Sequence, residues 1–140
     1  MGTSRRMYAV AGAGTGSNPW AHLTCPLRYM VHQFGRSVDL TPFQTQTDVI
    51  LNTVIAQNIA LEVNTSATNA EQVRTLPDMS ILQRYYDLGG RKITLASDAH
   101  VSARVGIGFR SAAAQLRAIG FREAYYYRQH MAIPYELSLE

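Results

Sequence analysis

Asp98-Ala99-His100 sets a carboxylate and an imidazole two residues apart, just past a short strand-like stretch at 92–95. Asp offers hard oxygen and His borderline nitrogen, a mixture suited to zinc, manganese or iron. The same pair is also compatible with an Asp capping the following turn beside a surface-bonded His. The bare spacing does not choose between the two. A second polar cluster, Glu62-Val63-Asn64-Thr65, follows another apolar run at 59–63. Other reactive residue types have plainer readings. Cys25 reads as a small buried residue, since no histidine pattern marks it as a nucleophile. His32 reads as a helix-surface or packing residue and His130 as a turn residue. Tyr125-Tyr126-Tyr127 reads as an alternating strand rather than a stacking platform. Gly12-Ala13-Gly14-Thr15-Gly16 lacks the helix that a dinucleotide-binding loop must open, because Ser17-Asn18-Pro19 follows.

The elements that would position these clusters alternate. Thr41 is a good N-cap with Pro42 at the first helical position, and Phe43, Ile50, Leu51, Val54 and Ile55 form an apolar stripe behind it. A strand is expected at 59–63 and a loop at 64–77, rich in Asn, Thr and Ser. A second helix is expected from about 77 to 88, with Ile81, Leu82, Tyr85 and Leu88 on one face and Gly89-Gly90 as its C-cap. A strand at 92–95, a helix at 109–118 closing at Gly120, and β-prone stretches at 123–127 and 133–137 complete the pattern. Strand, helix, strand, helix, strand is the rhythm of an α/β sheet or barrel with parallel strands. In such folds chemistry gathers at the C-terminal ends of the strands. Both polar clusters fall there.

Composition narrows the function classes. A chain of 140 residues with 46% hydrophobic and 16% charged residues can build one globular core. Its apolar runs are too short to span a bilayer, and residues 1–20 carry no signal-peptide pattern. A single cysteine excludes an internal disulfide framework and fits a cytoplasmic location. The net charge of +3 comes from scattered arginines, which gives nucleic-acid binding little support and suits a small phosphorylated substrate.

Three ordered blocks carry a family resemblance. Residues 88–100, LGGRKITLASDAH, resemble the terminal metal motif of histidinol-phosphatases of the polymerase-and-histidinol-phosphatase (PHP) family, with Ala96 where that family more often has Gly. ALEVNTS at 60–66 and AHLTCPLRYMVHQFGRSVDLTPF at 21–43 resemble two upstream blocks of the same proteins. The resemblance covers residues 21–137. It implies the C-terminal portion of a PHP-type barrel, a distorted TIM-like β/α architecture, with residues 1–20 unmatched and 21–140 as the domain portion. It implies His22, Asp98 and His100 as metal ligands, in a family site that holds two or three divalent ions (zinc, manganese or iron). Arg28 is the candidate phosphate clamp, with an ordinary helix-surface arginine as the alternative. Glu62 and Asn64 are expected to shape or hydrogen-bond the site rather than ligate. The implied reaction is hydrolysis of L-histidinol phosphate in histidine biosynthesis, with no nucleic-acid or membrane partner. A different phosphate ester and a non-catalytic remnant stand as alternatives.

The sequence departs from the family pattern in two places. The opening His-x-His strand and the ligands that follow it have no counterpart, since the four histidines are His22, His32, His100 and His130. The expected barrel is therefore incomplete, with an uncovered edge that favours self-association or a complementary N-terminal chain, and with little or no activity in isolation. Where the family continues from the second block with a glycine and an arginine, this chain has Ala67-Thr68-Asn69, which leaves Arg74 as the nearest replacement.

Overall fold

The structure, a computed structural model, describes residues 41–69, 73–97, 102 and 106–138. A 3-10 turn, Thr41–Phe43, leads into helix α1, Gln44–Ala56. The helix thus starts later than the Thr41-Pro42 signal predicts. Phe43 occupies the N-cap without a side-chain cap, and the Thr47 hydroxyl donates back to its carbonyl. Such tightened first turns are common at helix N-termini. Phe43, expected in the apolar stripe, is instead 51% exposed; Ile50, Leu51 and Val54 form the buried face.

Strand β1 is Leu61–Asn64 rather than 59–63. The reason is local: the Ile59 amide donates to the Val54 carbonyl and so still belongs to the end of α1. Helix α2, Met79–Asp87, begins after Asp78, whose carboxylate accepts from the Ile81 amide and the Ser80 hydroxyl. It ends at Leu88 and Gly89, the latter at φ +103, where a glycine carries no steric penalty. Strand β2, Ile93–Ala96, lies parallel to β1 in the register Leu61↔Ile93 to Asn64↔Ala96. Helix α3, Phe109–Ile119, precedes β3, Glu123–Arg128, and β4, Met131–Glu136.

The closing pair differs from a uniformly parallel sheet. β3 and β4 form an antiparallel hairpin, turned by Gln129 and His130, both at positive φ. Two residues can reverse a chain but cannot carry it back for a parallel crossover. His130 is the turn residue that its position suggested. Pro134 is accommodated in β4 opposite Tyr125, as a proline can be where no ladder donor is required.

The three helices pack on one face of β1 and β2. Leu61, Val63 and Ile93 join Leu51 and Val54 of α1, Leu82 and Tyr85 of α2, Leu116 of α3 and Phe121 in one apolar cluster. Each such side chain removed from water contributes about 1.5–3 kcal/mol. The Arg84 guanidinium grips the Asp48 carboxylate through two bonds, of 2.8 and 2.7 Å, and holds that carboxyl below its ordinary range. This half-buried pair, still reached by solvent, fixes the contact of α1 with α2 more than it stabilises it. Among the described residues no helix is long and apolar enough to cross a membrane.

Tyr85 links core and sheet. Its ring is buried against Phe121, and its hydroxyl donates to the Lys92 carbonyl at 2.8 Å. Burial pushes the phenol up to about 12 from its ordinary 10.0. The folded state therefore disfavours the phenolate. The resulting stability is complete below pH 10 and is lost as pH rises from about 10 through about 12, amounting to about 3 kcal/mol at most. Urea titrations across that window should show this loss in the native chain and not in Tyr85→Phe, which should cost about 1 kcal/mol at neutral pH. Gly90→Ala should lower stability at neutral pH by about 1–3 kcal/mol, because an added Cβ falls on the Tyr85 ring.

Candidate functional site

The register of β1 and β2 aligns their C-terminal ends, with Asn64 opposite Ala96. Thr65 and Ser97, the next residue of each strand, therefore emerge side by side. Strand alternation assigns the faces. Leu61, Val63, Ile93 and Leu95 turn to the helices, so Glu62, Asn64, Thr94 and Ala96 occupy the opposite face.

Hydrogen bonds lace the two loops beyond these strands. The Thr65 amide donates to the Ala96 carbonyl at 2.7 Å, and the buried Thr65 hydroxyl donates to the Ile107 carbonyl at 2.6 Å. The Gly106 amide donates to the Ser97 hydroxyl at 3.2 Å, tying the two residues that bracket 98–105. Asn64 exchanges two backbone bonds with Leu76, both 2.9 Å, and its side-chain oxygen accepts from the Ser66 amide. Its Nδ2 donates to Glu62 Oε1 at 3.4 Å. Thr68 accepts from the Arg74 amide and donates to the Arg74 carbonyl, which brings the Arg74 backbone to this edge. Gly108, at φ +73, lies against Thr68, where a Cβ would come within 2.8 Å of the Thr68 hydroxyl oxygen.

Of the residues singled out from sequence, Glu62 and Asn64 lie together on the face opposite the helices. His22, Arg28, Asp98 and His100 lie outside the described residues, as do Cys25, His32 and the 1–20 segment. Glu62 is half-buried and Asn64 is buried. Among the described residues no three His, Cys, Asp or Glu side chains converge as a metal site. This edge therefore offers carboxylate and amide oxygens but not a complete donor set.

Sequence reasoning assigned no role to Thr65, Thr68, Ser97 or Gly108. Their signal was the small hydroxyl residues in the loops after the two strands, and a glycine opening α3. Thr94 also escaped notice. It is 7% exposed, and its hydroxyl has no hydrogen-bond partner.

A cavity of about 400 Å³ opens at the opposite ends of the strands, lined in part by Asn58, Tyr85, Arg91, Lys92 and Tyr125. Its cations have internal partners. Arg91 stacks on the Tyr86 ring and donates to the Tyr86 and Gly90 carbonyls, while Lys92 lies over the Tyr125 ring.

The chain is 36% identical over 101 residues to a probable histidinol-phosphatase of Thermotoga maritima, and 31% identical over 93 residues to one of Clostridium acetobutylicum. These matches take in 72% and 66% of the chain, and the chain spans only 40% and 35% of those relatives. The fold is similar to that of a histidinol phosphate phosphatase of Lactococcus lactis, solved with zinc, L-histidinol and phosphate. The TM-score is 0.72 at 20% identity, covering 93% of this chain and 50% of that one. No family model matches the sequence.

Thr65→Val should strip the half-buried Ile107 carbonyl of this donor and lower stability by about 1–3 kcal/mol. Urea unfolding, with hydrogen exchange of the Thr65 and Gly106 amides, is the check. Unchanged stability and exchange would show that the loops hold together without this hydroxyl.

Proposed function

We propose that this chain, a homologue of part of the histidinol-phosphatases, carries a portion of a metal-dependent phosphomonoester hydrolase site on a PHP-type, distorted TIM-like β/α barrel. The reaction assigned to that site is hydrolysis of L-histidinol phosphate to L-histidinol and phosphate, a cytoplasmic step of histidine biosynthesis. One observation carries the proposal. The parallel register of β1 and β2 sets Glu62, Asn64 and Thr65 beside Ser97, the residue that leads into Asp98-Ala99-His100. This is the end of an α/β sheet where catalytic groups collect.

In this reading His22, Asp98 and His100 hold a divalent ion: zinc, manganese or iron. Such an ion supplies Lewis acidity toward a phosphoryl oxygen and lowers the pKa of a bound water. Hydrolysis joins a water oxygen to phosphorus and breaks the bond from phosphorus to the alcohol oxygen, which takes up a proton. Arg28 grips two equatorial oxygens and offsets their charge, as a planar guanidinium does well. Arg74 is the second candidate for that role, because the Thr68 bonds bring its backbone to the same edge. Asn64 holds both the turn after β1 and the Glu62 carboxylate, so the pair shapes the site without ligating.

A family site of two or three ions needs more donors than His22, Asp98 and His100 provide, and no two of the four histidines have the His-x-His spacing. The remaining ligands of such a site then lie outside these 140 residues. The 140-residue chain alone should retain zinc weakly, lose it in Asp98→Asn and His100→Asn, and release little phosphate from L-histidinol phosphate. Metal analysis and a phosphate-release assay test this directly. Zinc retention unaffected by either substitution would sink the ligand assignment. Fast, chelator-sensitive turnover by the chain alone would sink the shared-site reading.

A further inference from the structure

The face of β1 and β2 turned away from the helices carries two groups that packing does not explain. Thr94 sits mid-strand, directly opposite Glu62 in the register, and is buried with its hydroxyl unpartnered. A buried hydroxyl without a hydrogen bond is destabilising, a loss that valine in the same place would avoid. Beside it the half-buried Glu62 carboxylate accepts one long bond from Asn64 and has no cation partner among the described residues. An ionised carboxylate accepts only, and a threonine hydroxyl both donates and accepts. Together they call for a ligand that is rich in N–H donors and positively charged.

We propose that Glu62 and Thr94 receive the nitrogen-bearing end of the phosphate ester and act as its specificity determinants. The inference rests on the phosphatase reading and adds an orientation to it. A carboxylate repels phosphate, so the phosphoryl group belongs at the loop edge with the arginine, and the amine and imidazole lie deeper. Glu62 and Thr94 stand two residues before the strand ends at Asn64 and Ala96, which is roughly 7 Å at the rise of a β-strand. That depth suits a molecule whose phosphate and nitrogen atoms are separated by a short carbon chain.

The test is calorimetric titration of the zinc-supplemented full chain with L-histidinol and, separately, with inorganic phosphate. Glu62→Gln should weaken L-histidinol binding by about tenfold or more, the usual scale for a lost charge-assisted bond. Thr94→Val should weaken it several-fold and Thr94→Ser should recover it, with phosphate affinity and zinc content within about twofold of the native chain throughout. Circular dichroism confirms folding, and if Thr94→Val does not fold, Glu62→Gln decides. The proposal is overturned if both variants bind L-histidinol as the native chain does. It is overturned equally if phosphate and zinc binding fall in parallel, since Glu62 then supports the metal ligands instead. Native chain that binds phosphate but not L-histidinol refutes this inference alone, whereas native chain that binds neither refutes it together with the assignment of the phosphate site to this chain.

Discussion

Everything at the candidate site depends on the parallel register between β1 and β2. A β-strand has period two, so a slip of one residue would turn Glu62 and Asn64 toward the helices and Leu61 and Val63 away from them. The apolar cluster forbids that slip, because Leu61, Val63 and Ile93 fill the space under α1, α2 and α3. Hydrophobic packing on one face thus positions the polar groups on the other. It also determines which residues leave the sheet together, Thr65 from β1 and Ser97 from β2.

Local hydrogen bonds convert that alignment into a shaped edge. Thr65 reaches both Ala96 and Ile107, so a single residue joins its own loop to the far end of the neighbouring one. Asn64 reaches Leu76, Ser66 and Glu62, using its backbone, its carbonyl and its amide for three different purposes. Ordinary loops satisfy their polar groups with water. These satisfy them with each other, which is the preorganisation a binding site requires, and it is built from small hydroxyl and amide side chains.

Much of the fold was legible because helix faces and glycine caps are local signals. Ile81, Leu82 and Tyr85 ahead of Gly89-Gly90 marked α2 without reference to any other part of the chain. The strand boundaries moved because they depend on neighbours. Ile59 reads as strand by composition but spends its amide on Val54. The antiparallel hairpin was less visible still, since Gln129-His130 lacks the glycine or asparagine that advertises such a turn. At the site, Glu62 and Asn64 were found through their position after an apolar run. Thr65 was found in the same cluster but not its bonds, and Thr94 was missed, because a buried threonine differs from an exposed one only in its surroundings.

The two ends of the sheet differ in how they treat charge, and that difference bears on where a ligand fits. At the N-terminal ends, Arg91 and Lys92 are absorbed by aromatic rings and backbone carbonyls, so the cations beside that cavity already have partners within the fold. Toward the C-terminal ends, among the described residues, the Glu62 carboxylate accepts one bond, from the Asn64 amide at 3.4 Å, and the Thr94 hydroxyl has none. A fold selected for stability alone would reverse this arrangement and bury aliphatic side chains at 62 and 94, as it does at 61, 63 and 93. Unsatisfied polar groups within an otherwise well-packed sheet are the signature of a surface whose complement arrives from outside. The Glu62 carboxylate, an acceptor, further restricts its own complement to a cation or a cluster of donors. A phosphate ester carrying an amine meets both conditions only when its phosphate points outward, toward the loops that Thr65 and Ser97 hold together.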